Sequence, residues 1–145
     1  TLISIRNYCK KNKLKFFISN SIKLAIKYRL DGVYIPSFNK QINFIKHSLP
    51  KNFKVIGSAH NDFEISTKKR QGCEIIFVSP IFKIMKRNYF LDTIKFNLLT
   101  LNKKSKFVAL GGINKRNINK LSLLNICGFA GISYFQKKRP HMEAV

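Results

Sequence analysis

Short apolar runs, rich in β-branched and aromatic residues, recur at Lys15–Ser19, Gly32–Ile35, Phe53–Gly57, Ile75–Ser79, Lys106–Leu110 and Phe129–Ser133. Most are continuous rather than alternating, which predicts strands buried on both faces. The segments between them carry helical spacing. Ile22, Ala25, Ile26 and Arg29 form a stripe beneath a Lys-rich face. Glu64, Lys68 and Gln71 fall on the polar side of the next helix, and Ile118, Leu121 and Leu124 share one face of a helix over Asn117–Ile126. Asn61 and Asn114 are the candidate N-caps. Thr1–Asn12 reads as the end of a helix leading into the first strand. Successive strands begin about 17–31 residues apart, the size of a βα unit. Six strands alternating with five or more helices predict an α/β fold with a parallel sheet. With no linker or low-complexity tract, residues 1–145 form a single domain.

Composition narrows this picture. A chain of 145 residues has room for one core. Its 45% apolar content and 13 Phe exclude a disordered chain. Cys9, Cys73 and Cys127 are odd in number and widely spaced, so no disulfide framework is expected. No run reaches the roughly 18 apolar residues of a membrane span. No signal peptide is visible, so the expectation is a cytoplasmic protein without a membrane partner. The net charge of +22 raises the question of a nucleic-acid partner. Lys dominates the 28 basic residues, and Ile, Asn, Lys and Phe fill nearly half the chain. All four have A/T-rich codons, and the Lys residues are dispersed, so a generic basic surface accounts for most of the charge.

Three local patterns carry chemistry. Phe107–Asn114 reads as a strand, two glycines and a helix start. Gly111 and Gly112 let the backbone approach a phosphate, and free N–H groups at a helix N-terminus point at the anion. A plain left-handed turn is the competing reading. Gly57-Ser-Ala-His-Asn61 places Ser58 and His60 at the C-terminal end of a strand, where barrel enzymes hold their chemistry. Taken alone, His60 reads more readily as a structural hydrogen-bonder than as a base. Ser79-Pro-Ile-Phe82, followed by Lys83, Lys86 and Arg87, suits a phosphate or pyrophosphate ligand, and equally a solvated loop.

In this order and spacing the blocks resemble the thiamine phosphate synthase / TenI family. The matching residues are Ser19-Asn20, Asp31–Asn39, Gly57–His60 with Glu64, Ser79–Phe82, Ala109–Ile113 and Cys127–Ser133, from about Lys15 to Phe135. The resemblance implies a TIM (β/α)8 barrel of about 200 residues. This chain would then hold about strands 3–8, without strands 1–2 and the family's Arg-x-Lys block, and the expectation is that it is truncated at the N-terminus or pairs with something that closes the barrel. It further implies a transferase of thiamine biosynthesis, joining hydroxymethylpyrimidine pyrophosphate to thiazole phosphate and releasing pyrophosphate. By position, Ser58, His60 and Arg87 become catalytic. Gly111, Gly112, Ile113, Phe135, Gln136 and Lys86 become the phosphate-binding set. Mg²⁺, the family's cofactor, would sit at Asn20 and Asn39.

The departures set the alternatives. Asn20 and Asn39 replace the family's two metal-binding Asp residues, and neutral amides are weaker ligands for a hard cation. Tyr34 replaces the family His, Pro36-Ser37 its Gly-Gln, Ser79 the Gly before Pro80, and Gln136 a Ser. Ile84 and Lys86 stand at the hydroxyl positions of the pyrophosphate loop. Pro80 disfavours the TenI tautomerase branch, which has His there. A catalytically impaired relative that binds a phosphorylated pathway ligand is therefore the second reading. A basic nucleic-acid-associated protein is the third. Phosphorylated small molecules are the expected partners, and the oligomeric state is left open.

Overall fold

The computed structural model describes residues 1–42, 49–85 and 88–135. Lys86, Arg87 and Gln136 lie outside that set. In chain order the elements are α1 (Leu2–Lys11), β1 (Phe17–Ser19), α2 (Ile22–Lys27), β2 (Gly32–Ile35), β3 (Lys54–Ala59), α3 (Asp62–Arg70), β4 (Ile75–Val78), α4 (Asp92–Thr100), β5 (Lys106–Leu110), a 3₁₀ helix (Ile118–Leu123), β6 (Gly128–Ala130) and α5 (Ile132–Phe135). The six strands form one parallel sheet in sequence order, β1-β2-β3-β4-β5-β6. Each pair is in parallel register, from Phe17↔Gly32 at one edge to Leu110↔Ala130 at the other. No helix among the described residues is long and apolar enough to cross a membrane.

Register sorts the strand residues into two faces, because side chains alternate along a strand. Val33, Val55, Ile76 and Phe107 are register-linked to one face and pack with Ala25, Ile65, Phe96 and Leu121 of the flanking helices. Each such buried side chain contributes about 1.5–3 kcal/mol. The opposite face carries Tyr34, Ile56, Ser58, Phe77, Val108 and Leu110. This inner face is only partly covered: Ser58 is buried, while Tyr34, Phe77 and Leu110 are half-buried.

Local signals explain α3. The Asn61 side chain accepts from Glu64 N, and Asp62 and Glu64 stand in the first turn. Lys68, Lys69 and Arg70 stand in the last, so both ends complement the helix dipole. At the C-terminus Gly72, with φ +73°, donates to Lys69 O while Cys73 N donates to Lys68 O. This paired Schellman closure needs a left-handed residue.

Several expectations are corrected. Strand β3 runs through Ser58 to Ala59 instead of stopping at Gly57, so Ser58 lies within the strand and not after it. The last strand ends at Ala130, and Ser133 and Phe135 belong to the short α5. Asn117–Ile126 is not an α-helix but the 3₁₀ turn Ile118–Leu123. Asn114 caps no helix: its side chain accepts from Arg116 N while Asn117 accepts from Asn114 N, closing a polar turn. Helix α2 stops at Lys27, leaving Arg29 exposed with φ +50°. The largest correction concerns α3, whose assigned polar face contains Lys68 and Gln71, exposed by only 0% and 1%.

Candidate functional site

Because every strand runs the same way, the loops after their C-terminal ends share one edge. That edge carries Asn20 after β1, Asn39 after β2, His60 after β3, Ser79 after β4 and Gly111-Gly112 after β5. Ser58 lies one register step below it on the inner face, opposite Phe77, whose ring meets Tyr34 edge-on at 6.3 Å.

His60 is tied down from two sides. Its N–H donates to Glu64 Oε2 at 2.7 Å, and its ring Nδ1 lies 2.6 Å from Ser79 O. A carbonyl oxygen only accepts, so Nδ1 carries the proton. In the neutral ring the lone pair is then on Nε2. The histidine is thus both the structural hydrogen-bonder of the plain reading and a group with a free second nitrogen among the described residues. It joins the loop after β3 to the loop after β4.

The loop after β4 is in turn laced to the double glycine. Ile81 N donates to Leu110 O at 2.9 Å and Phe82 N to Gly111 O at 3.1 Å. Gly111 and Gly112 have φ of +92° and +74°. A Cβ on Gly112 would strike the Phe82 carbonyl. The glycine therefore makes room for the neighbouring loop. The same bend leaves the N–H groups of Gly112 and Ile113 without an acceptor among the described residues. Those of Asn114, Arg116, Asn117 and Ile118 are taken within the turn. The N–H of Lys115 likewise has no acceptor among the described residues, so backbone donors of this bend, rather than an open helix N-terminus, remain for an anion.

At the other end of the edge, Asn39 Nδ2 donates to Asn20 Oδ1 at 2.9 Å, and Asn39 Oδ1 accepts from Gln41 N at 2.9 Å. Beneath them Lys68 Nζ donates to Pro36 O (2.7 Å), Asn39 O (2.8 Å) and Gln71 Oε1 (2.9 Å). Gln71 Nε2 donates to Asn39 O and Gln41 O, both at 2.9 Å. Burial lowers the pKa of the Lys68 ammonium, against the opposing pull of Cys73 and Glu64. Burial also pushes the Cys73 thiol up to about 12, with Lys68 opposing.

Mg²⁺ demands near-octahedral oxygen ligands, usually including carboxylates. The residues at this end do not fit it. Both amide oxygens are engaged in hydrogen bonds, and the five described carboxylates are committed elsewhere. Asp31 bonds Lys15 and Phe16 N, Glu74 bonds Lys54, Asp62 bonds Lys103, Glu64 bonds His60 N, and Asp92 bonds Thr93 N. Among the described residues no three His, Cys, Asp or Glu side chains gather to hold a metal ion.

The structure thus brings Ser58, His60, Gly111, Gly112, Ile113, Asn20 and Asn39 to one end of the sheet. Phe135 stacks on Phe129 at 5.6 Å and is 63% exposed. By alternation from Ala130, Phe129 belongs to the helix-side face. Lys68 and Gln71 were missed as part of this end of the sheet. Their signal was positional: Lys68 follows Ile65 by three residues and so shares its buried face.

Six parallel strands in sequence order, joined mostly through helices and with their polar loops gathered at the C-terminal edge, define a protein of the (β/α)8-barrel class. In agreement, the solved thiamine phosphate pyrophosphorylase from Pyrococcus furiosus superposes with a TM-score of 0.71 at 20% identity, over 90% of this chain and 62% of that one. The family of thiamine monophosphate synthase matches residues 1–135, and the chain belongs to that family. A thiamine-phosphate synthase of Prochlorococcus marinus subsp. pastoris is 32% identical over 134 residues, 90% of this chain and 38% of that protein. Thiamine-phosphate synthase 1 of Streptococcus pneumoniae serotype 4 is 29% identical over 136 residues, again 90% of this chain and 64% of its own length. The chain therefore spans less than two thirds of these relatives.

Proposed function

We propose that the protein acts in thiamine biosynthesis as a thiamine-phosphate synthase. It would couple hydroxymethylpyrimidine pyrophosphate with thiazole phosphate. The C–O bond from the pyrimidine methylene to pyrophosphate breaks, a C–N bond to the thiazole nitrogen forms, and pyrophosphate leaves. The family match across residues 1–135 carries this reading. The edge supplies compatible chemistry. The free N–H groups of Gly112 and Ile113 suit the phosphate of the thiazole. Ser58 on the inner face and His60 at the edge above it would serve the pyrimidine pyrophosphate, and Lys86 and Arg87, outside the described residues, would be the cations for the leaving group. Tyr34 and Phe77 offer aromatic edges to the pyrimidine ring.

The test is direct. Purified protein given both substrates should release thiamine phosphate, followed by chromatography, at a rate well above the uncatalysed background. Background turnover at saturating substrates, with and without added Mg²⁺, overturns the reading. The Asn20–Asn39 hydrogen bond favours a second one, a relative that binds phosphorylated thiamine-pathway ligands without turnover. Calorimetric binding of thiazole phosphate without product formation would support it.

A further inference from the structure

The amide pair at Asn20 and Asn39 has an orientation that can be derived. The Gln41 N–H can only donate, so the atom facing it is Asn39 Oδ1. The Asn39 amide nitrogen then faces Asn20, whose oxygen must receive it. Among the described residues the pair keeps three N–H groups, one on Asn39 Nδ2 and two on Asn20 Nδ2, while each of its oxygens has already accepted one hydrogen bond and keeps a single lone pair. Such a surface suits the oxygens of an anion and repels a cation. Asn20 is exposed and Asn39 half-buried, so these donors are accessible.

The loop bearing Asn39 is held from below by a fixed positive charge. Lys68 reaches across from α3 to the carbonyls of Pro36 and Asn39, and Gln71 joins it on Asn39 and Gln41. The stem of Lys68 passes close to Gly57: a Cβ there would lie 2.8 Å from Lys68 Cδ and 2.9 Å from Cys73 Sγ. The path of the lysine thus depends on a strand glycine. An ammonium on three oxygens is a complete internal cation site.

We propose that the buried Lys68 ammonium, not a divalent metal, is the cation that organises this end of the site, and that the Asn20–Asn39 pair donates hydrogen bonds directly to a phosphorylated ligand. Lys68 and Gln71 are positioning residues, acting through the loop they pin. The proposal rests on the reading of the C-terminal edge as a phosphate-ligand site, but its metal arm is read without any substrate.

Mn²⁺, a paramagnetic stand-in for Mg²⁺, is titrated into the protein and followed by electron paramagnetic resonance. The wild type should show no saturable binding, and Asn20→Asp with Asn39→Asp together should create it. Saturable binding by the wild type that Asn20→Ala removes overturns the proposal. Hydrogen exchange reads the second arm. Lys68→Met, and the milder Gln71→Leu should the first not fold, should lose amide protection at residues 37–42 while the strands keep theirs. Unchanged protection in that loop overturns the role of Lys68. Calorimetry with inorganic pyrophosphate separates the two readings. Binding that survives EDTA and weakens in Asn20→Ala supports the proposal, and binding that EDTA abolishes overturns it. Failure to bind pyrophosphate at all would sink the phosphate-site reading and with it the ligand half of the proposal, while the Mn²⁺ and exchange arms still decide the cation half.

Discussion

Cys73 and Cys127 show how strongly a single side chain's chemistry is set by its surroundings. Cys73 is buried against Gly57, with its thiol pushed up to about 12, whereas Cys127 is exposed. The thiolate is the reactive form. Maleimide labelling followed by mass spectrometry should therefore modify Cys127 well before Cys73 in the folded protein, and denaturation should remove the difference. Asp31 gives a pH prediction. Its partial burial alone would raise its pKa, but the Phe16 N–H and the Lys15 ammonium outweigh that and hold it below the usual carboxylate value. A depressed folded pKa means stability that is present above the unfolded value, near pH 4, and lost as pH falls through the folded one. Asp31→Asn should remove this acid-dependent part of the stability, measured by chemical denaturation across that range. His60→Gln keeps a side chain able to donate to Ser79 O but removes the imidazole. If His60 acts only as a tie, turnover should survive in that variant; if its Nε2 serves the reaction, kcat should fall with the fold intact.

Helix α3 is the element that decides most about the site. Its Asn61 cap was legible in the sequence, because a cap is a contact between near neighbours. Asn61→Ala should cost about 1 kcal/mol by denaturant titration. The burial of its Lys68–Gln71 side was not legible. Lysine and glutamine are read as solvent-facing on composition, and only the facing carbonyls of Pro36, Asn39 and Gln41 make burial affordable. Lys68→Met would leave Pro36 O without its lysine donor and Asn39 O with one fewer, at about 1–3 kcal/mol for a buried group left unpaired. It should destabilise the protein accordingly. At the double glycine, Gly112→Ala meets both a φ of +74° and the Phe82 carbonyl. It should displace the loop after β4 and weaken phosphate binding more than a Gly128→Ala change, where a Cβ meets nothing within 4 Å.

At the scale of the whole molecule, the sheet is an open run of six strands, in which β1 and β6 each have one sheet neighbour among the described residues. Both edge strands are only three residues long, which limits how much ladder they offer to another chain. A parallel sheet of this kind closes into a barrel only with further strands. The inner face explains the half-burial of Tyr34 and Phe77, which a closed barrel would cover more fully. The charge of +22 is likewise a property of the whole, and the ion pairs Lys15–Asp31 and Lys54–Glu74 take up little of it.

By itself the sequence determined the strands, their parallel α/β arrangement and the resemblance that names the edge residues. Apolar runs, caps and glycine turns act over a few residues, and the spacing of βα units follows from them. The tertiary structure alone decided what those edge residues are bonded to. The Asn20–Asn39 hydrogen bond joins positions 19 residues apart, and Lys68 reaches Pro36 across 32. No local pattern encodes such pairings, because whether a polar side chain is buried depends on the partners that distant strands bring to it.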